Sequence, residues 1–142
     1  MTVQTKKPET LENVADAMRA VGVQARAAAG MLAHASTKAK NLALLTAAKE
    51  LRARTAAIIE ANKLDLAAAT EANRPASYLD RLMLDPKRIE GMAKGLEDVA
   101  ALADPAGSVL AAWTRPNGLR IGRVRVPLGV IGIIYESRPN VT

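Results

Sequence analysis

Val126-Pro-Leu-Gly-Val-Ile-Gly-Ile-Ile-Tyr-Glu-Ser-Arg-Pro-Asn-Val-Thr142 passes from an unbroken apolar run into a polar loop within a few residues. Val130–Tyr135 shows no polar alternation, as expected of a strand buried on both faces of a parallel sheet. The loop Tyr135–Thr142 would then lie at the carboxyl end of that strand, where open α/β folds bind their ligands. Pro139 restrains this loop, and Ser137, Arg138 and Asn140 offer hydrogen-bond donors. Gly129-Val-Ile-Gly132 has part of the look of a phosphate-binding glycine pattern. Those glycines precede or lie within the strand, whereas the dinucleotide fingerprint follows its strand and opens a helix. Close strand packing is the better account of them.

Immediately upstream, Ser108–Thr114 and Leu119–Val126 are two β-like runs joined by Arg115-Pro116-Asn117-Gly118. An Asn-Gly turn between such runs predicts a hairpin. Alternation slips at Gly122, which predicts a bulge or twist there. Between Pro105 and Tyr135 there is no Asp or Glu, while Arg115, Arg120, Arg123 and Arg125 all fall there. Most of the chain's net charge of +6 is therefore concentrated near one end. Arg120-Ile-Gly-Arg-Val-Arg125 is open to two readings. It can be a basic ribbon for nucleic acid, for which stacking aromatics are scarce, Trp113 being the one nearby. The better account is a solvated strand face whose charge protects an edge.

The rest of the chain is helical in period. Leu11, Val14, Ala15, Met18, Val21, Ala25, Ala28 and Leu32 recur at helical spacing, with Thr10 as N-cap, and residues 1–10 are expected to be disordered. Ser36 is expected to cap a second helix carrying Leu44, Leu45, Ala48, Leu51, Thr55, Ile58 and Ile59, broken near Asn62 and followed by a short helix over Leu64–Ala72. Asn73-Arg74-Pro75 stops it. Asp85-Pro86 starts another helix, with Asp as N-cap and Pro at the first helical position. Its stripe is Ile89, Met92, Ala93, Leu96, Val99 and Ala100, and Asp104-Pro105 ends it.

The 142 residues hold 49% hydrophobic side chains but no Phe and one Trp, so the core must rest on Ala, Leu, Val, Ile and Met. Cys is absent, which removes disulfides, thiolate metal sites and a cysteine nucleophile from these residues. With a single His, His34, no metal site is expected. The start of the chain has no apolar signal segment and no run approaches a membrane span, so a soluble cytoplasmic protein is expected. One buried strand cannot cover its own faces. Either a partner chain supplies the rest of the sheet, or these residues are part of a longer polypeptide.

The stretch Val126–Thr142 closely resembles the γ-glutamyl phosphate reductase family, within the aldehyde dehydrogenase superfamily. Leu79-Asp-Arg-Leu82, Leu84-Asp-Pro86 with Arg88-Ile-Glu-Gly-Met92, and Leu102-Ala-Asp-Pro105 extend the likeness upstream. The resemblance implies an α/β fold of which these residues form part: N-terminal helices, a β-hairpin arm and the first strand of a Rossmann-type domain. It divides the chain into a helical part of the cofactor-binding domain at 11–104, an oligomerisation arm at 105–126, and the first buried strand with its active-site loop at 127–142. It implies NADPH-dependent reduction of L-glutamyl 5-phosphate to glutamate 5-semialdehyde, in proline biosynthesis, through a cysteine thioester. That cysteine lies outside these residues, so the chain alone is expected to be inactive.

The resemblance also implies roles on the loop. Tyr135, Glu136 and Ser137 would border the cofactor, and Arg138 would hold the substrate's phosphate or carboxylate. Asn140 would donate to the oxyanion, although an ungapped match from Pro127 sets Arg138 at the place of the superfamily's asparagine. A homo-oligomer through the 105–126 hairpin is implied too. The alternative, from the residues alone, is a non-enzymatic basic α+β module that binds nucleic acid.

Overall fold

A computed structural model describes residues 11–141. The expected disorder of residues 1–10 and the Thr10 cap lie outside the described residues. Five helices precede one hairpin: α1 (Leu11–Leu32), α2 (Thr37–Ala53), α3 (Thr55–Glu71), α4 (Ala76–Leu82), α5 (Pro86–Ala100), β1 (Val109–Thr114) and β2 (Arg120–Val124). The chain divides into two compact units. One takes Met1–Ala35 and Pro105–Gly132, the other Ser36–Asp104 and Ile133–Thr142.

In the first unit, α1 leaves its apolar positions Val14, Met18 and Val21 exposed. The hairpin forms where the sequence places it. Gly118 donates its N–H to the Arg115 carbonyl at 2.9 Å, Arg115 donates to the Leu119 carbonyl at 2.8 Å, and Asn117 Oδ1 accepts from Leu119 at 3.2 Å. Gly118 takes φ +85°, a conformation that costs other residues strain. The bulge is not at Gly122, which pairs in register with Ala112. Val109 faces Val124 and Ala111 faces Arg123, so the extra residue is Leu110 on β1. A slip in apolar alternation reports that one strand is out of step, and the partner strand can take up the mismatch.

The second unit is a helical assembly built around the pairing of α2 with α5, with α3 touching α4 and α5. Ser36 caps α2 as expected, accepting from Ala39 N–H at 3.2 Å, and Asp85 caps α5, accepting from Arg88 N–H at 2.6 Å behind Pro86. Its buried apolar residues are Ala48, Ala69, Ile89, Ala93 and Ala100. Close approach of alanine faces suits α2 and α5, but only Ile89 brings a large side chain, contributing about 1.5–3 kcal/mol by its burial. Between α2 and α5, Arg52 reaches both Glu90 and Glu97. Asp104 closes the unit by accepting from Lys40 Nζ at 2.8 Å and Thr37 Oγ1 at 2.9 Å, at the start of α2.

Two helix boundaries differ from the sequence reading. The expected break at Asn62 falls at Arg54, where Thr55 Oγ1 turns back to the Leu51 and Arg52 carbonyls at 3.2 and 2.9 Å. Asn62 sits inside a continuous α3, because its carboxamide is occupied by another segment and does not compete for local backbone groups. The short α4, for which no expectation stood, fills the space between the Asn73-Arg74-Pro75 stop and Asp85.

Val130–Tyr135, expected as a buried strand, forms no strand and is not buried. Ile134 is fully exposed, and Val130, Ile131 and Ile133 are exposed as well. A strand exists by pairing, and the hairpin is the only ladder among the described residues. No other strand among the described residues forms a ladder with the apolar run.

Candidate functional site

A cleft of about 770 Å³ opens in the second unit between the α4–α5 corner, one side of α5, and the segment Arg138–Val141. This volume suits a small-molecule ligand. The stripe of α5 explains one side. Ile89, Ala93 and Ala100 turn into the core, while Met92, Leu96 and Val99 face the cleft with Gly91 and Gly95. A Cβ placed on either glycine meets nothing within 4 Å, so both leave open space rather than relieve a clash.

The corner between α4 and α5 is firmly held. Arg88 Nη1 donates to the Met83 carbonyl at 2.9 Å and to the Asp80 carbonyl, while its Nη2 reaches Asp80 Oδ1 at 2.7 Å. The guanidinium thereby satisfies carbonyls at the end of α4 that the helix itself leaves unpaired. Arg88 lines the cleft but is committed to this clamp. Arg81 lines the same cleft and brings a second positive charge.

The loop side is a turn. Val141 N–H donates to the Arg138 carbonyl at 3.1 Å, with Pro139 in the second position of the turn. Ser137 enters it at φ +51°, in the left-handed region that non-glycine residues rarely adopt. Such strain costs of order 1 kcal/mol and gathers where side chains are being aimed. Arg138, Pro139 and Asn140, next in the chain, all border the cleft.

Of the residues singled out from sequence, then, the fold brings Arg138 and Asn140 together at one cleft. Tyr135, Glu136 and Ser137 lie on the same loop outside it, with Tyr135 and Glu136 exposed and Ser137 half-buried. His34 lies in the turn after α1, away from this loop in sequence and in the other unit. The sequence reading missed Asp80, Arg81, Met83, Leu84 and Arg88. The motifs holding them, Leu79-Asp-Arg-Leu82 and Arg88-Ile-Glu-Gly-Met92, carried a family likeness but no assigned role. Among the described residues no group of His, Cys, Asp or Glu could hold a metal ion, and no helix is long and apolar enough to cross a membrane.

No protein-family model matches the chain. It is 55% identical over 136 residues to the gamma-glutamyl phosphate reductase of Brucella anthropi, covering 96% of this chain and 32% of that protein. It is 56% identical over 133 residues to that of Rhodospirillum rubrum, covering 94% of this chain and 31% of the relative. Among solved structures, the gamma-glutamyl phosphate reductase of Thermotoga maritima superposes with a TM-score of 0.80 at 50% identity, over 82% of this chain and 28% of its own. The Saccharomyces cerevisiae enzyme gives 0.78 at 40% identity. The nucleic-acid-binding reading finds no support in these relatives, each a reductase. The chain spans about a third of the length of the curated relatives it matches. By sequence and by fold it is similar to the N-terminal part of the gamma-glutamyl phosphate reductases.

Proposed function

We propose that these residues form the N-terminal part of a cytoplasmic reductase that converts L-glutamyl 5-phosphate to L-glutamate 5-semialdehyde at the expense of NADPH. The observation that carries this reading is the placement of Arg138 and Asn140 on one cleft, in a chain about 55% identical to such reductases. The chemistry of the cleft fits an anionic, polar substrate. Arg138 offers a cation for the phosphate or carboxylate, and Arg81 adds to the local positive potential. Asn140 can donate an amide N–H to an oxygen that gains charge at the reacting carbonyl.

The loop also fits one end of a nicotinamide cofactor. Tyr135 presents an exposed aromatic face and Ser137 a hydroxyl, beside the cleft-facing turn. The bound cofactor would supply hydride. No cysteine occurs in these 142 residues, so nucleophilic attack on the acyl phosphate is not theirs to perform. Their part is to hold substrate, orient its carbonyl and border the nicotinamide. On this reading 11–104 belongs to the cofactor domain and 127–142 supplies its active-site loop, with Val130–Tyr135 becoming its first strand only where the full-length polypeptide provides a strand to pair with it.

The 105–126 hairpin serves as an oligomerisation arm. Every residue of β1 is exposed, including Val109, Leu110 and Trp113, and the two-stranded ladder leaves both outer edges open. Making Val109 and Ile121 charged should break the homo-oligomer of the full-length enzyme, read by sedimentation; an intact oligomer would refute the arm.

The site is tested by substitution in a full-length polypeptide that includes this stretch. Asn140→Ala should lower kcat by about a hundredfold or more, the usual effect of losing one oxyanion donor. Arg138→Ala should act mainly on KM for the phosphorylated substrate. Normal turnover in Asn140→Ala would remove the proposed oxyanion role.

A further inference from the structure

Among the described residues of the second unit, Asn62 is the buried polar one, 4% exposed in the middle of α3. Asparagine is a poor helix former at such a position, so its presence there calls for a use of the side chain. Both ends of its carboxamide are engaged. Nδ2 donates to the Leu82 carbonyl at 2.9 Å and Oδ1 accepts from Leu84 N–H at 2.7 Å. The two bonds straddle Met83, which takes an extended conformation (φ −62°, ψ 133°) and so leaves this stretch without helical partners. Asn62 stands in for them, as a strand neighbour would.

What is held this way is a wall of the cleft. Met83 and Leu84 both line it, in company with Arg138 and Asn140. Arg88 grips the same corner through the Met83 and Asp80 carbonyls, and Asp85 fixes the start of α5. An apolar side chain at position 62 could fill the volume, but it could not fix the direction of the backbone beside it. A pair of hydrogen bonds does, because both distance and angle are constrained.

We propose that Asn62 is a positioning residue for the substrate cleft: by bridging α3 to Leu82 and Leu84, it sets where the Met83–Leu84 wall meets the bound acyl phosphate. This rests on the reductase reading given above. Asn62 touches no substrate itself, so its loss should appear in substrate affinity. A binding wall displaced by a fraction of an ångström weakens complementarity while leaving the reacting groups intact.

The test uses the full-length enzyme, assayed in the reverse direction with glutamate 5-semialdehyde, inorganic phosphate and NADP. Asn62→Leu removes both bonds. Asn62→Asp keeps the acceptor for Leu84 and loses the donor for Leu82, and it carries the test if the leucine variant does not fold. Ala48→Gly, in the α2 and α5 core, serves as a control of lowered Tm. KM for the semialdehyde should rise about tenfold in Asn62→Leu and less in Asn62→Asp, with KM for NADP and kcat within about twofold of wild type. Ala48→Gly should leave all three unchanged. Asn62 variants with lowered Tm and an unaltered KM, or a KM that rises equally in Ala48→Gly, would overturn the positioning role while the reductase reading stands. A wild-type enzyme without turnover would overturn that reading, and this inference with it.

Discussion

Arg52 and Glu90 meet in a two-point contact, Nε to Oε2 at 2.8 Å and Nη2 to Oε1 at 2.7 Å, across the α2 and α5 interface. The same guanidinium reaches Glu97 about two helical turns further on, with Nη2 at 3.0 Å from Oε2. Hydrogen bonds from Arg52 hold both carboxyls below their ordinary value, and the carboxylates in turn raise the arginine. A carboxyl depressed in the folded state stabilises the fold above its unfolded pKa of about 4.3 and loses that contribution as pH falls through the folded value. Thermal stability should therefore decline on acidification from about pH 5 towards pH 3. Arg52→Gln should flatten that decline. An unchanged pH profile of Tm in the variant would show that the network contributes nothing, as many exposed pairs do.

Gly91 and Gly95 lie exposed in α5 with open space where a Cβ would stand. Alanine at either should stabilise the helix by about 0.5–1 kcal/mol, seen as a higher Tm. Both positions line the cleft, so the full-length enzyme should lose substrate affinity as its stability rises. Destabilisation on Gly→Ala substitution would mean that the surroundings of α5 are other than described.

Asp85→Ala should cost about 1 kcal/mol, the typical loss of an N-cap side chain, by chemical denaturation. The effect should also reach the cleft, since Arg88 N–H, which Asp85 caps, belongs to the residue that clamps Asp80 and Met83.

Ser137 holds φ +51° ahead of the Arg138 turn. Glycine adopts that conformation freely, so Ser137→Gly should be neutral or stabilising in the folded enzyme, while Ser137→Val should destabilise by 1 kcal/mol or more, roughly the cost of a β-branched residue there. Equal stabilities for the two variants would indicate that the backbone at Ser137 is not strained.

Much of this was legible in the sequence, because the signals were local. Ser36 and Asp85 are caps whose oxygen accepts from a backbone N–H three residues on, and Asn117-Gly118 closes its turn through φ +85° at glycine. The stripe of α5 was read as one face; the fold splits it, Ile89 and Ala93 to the core and Met92 and Leu96 to the cleft. That division depends on where α2 lies, which periodicity cannot give. Asn62 misled for a similar reason. Its local preference is to interrupt a helix, and the partners that overrule it, Leu82 and Leu84, are 20 and 22 residues away. Arg88 likewise reads as one more basic residue on a helix until the chain turns back to place the Asp80 and Met83 carbonyls beside it. Val130–Tyr135 has the composition of a buried strand, but a strand requires a ladder, and the one ladder among the described residues is the hairpin.

The most direct measurement is NADPH oxidation driven by L-glutamyl 5-phosphate, followed for the full-length polypeptide and for the isolated 142 residues side by side. Turnover that requires the acyl phosphate in the first, with none in the second, is the expected result. Failure of the full-length polypeptide to oxidise NADPH with this substrate would contradict the account.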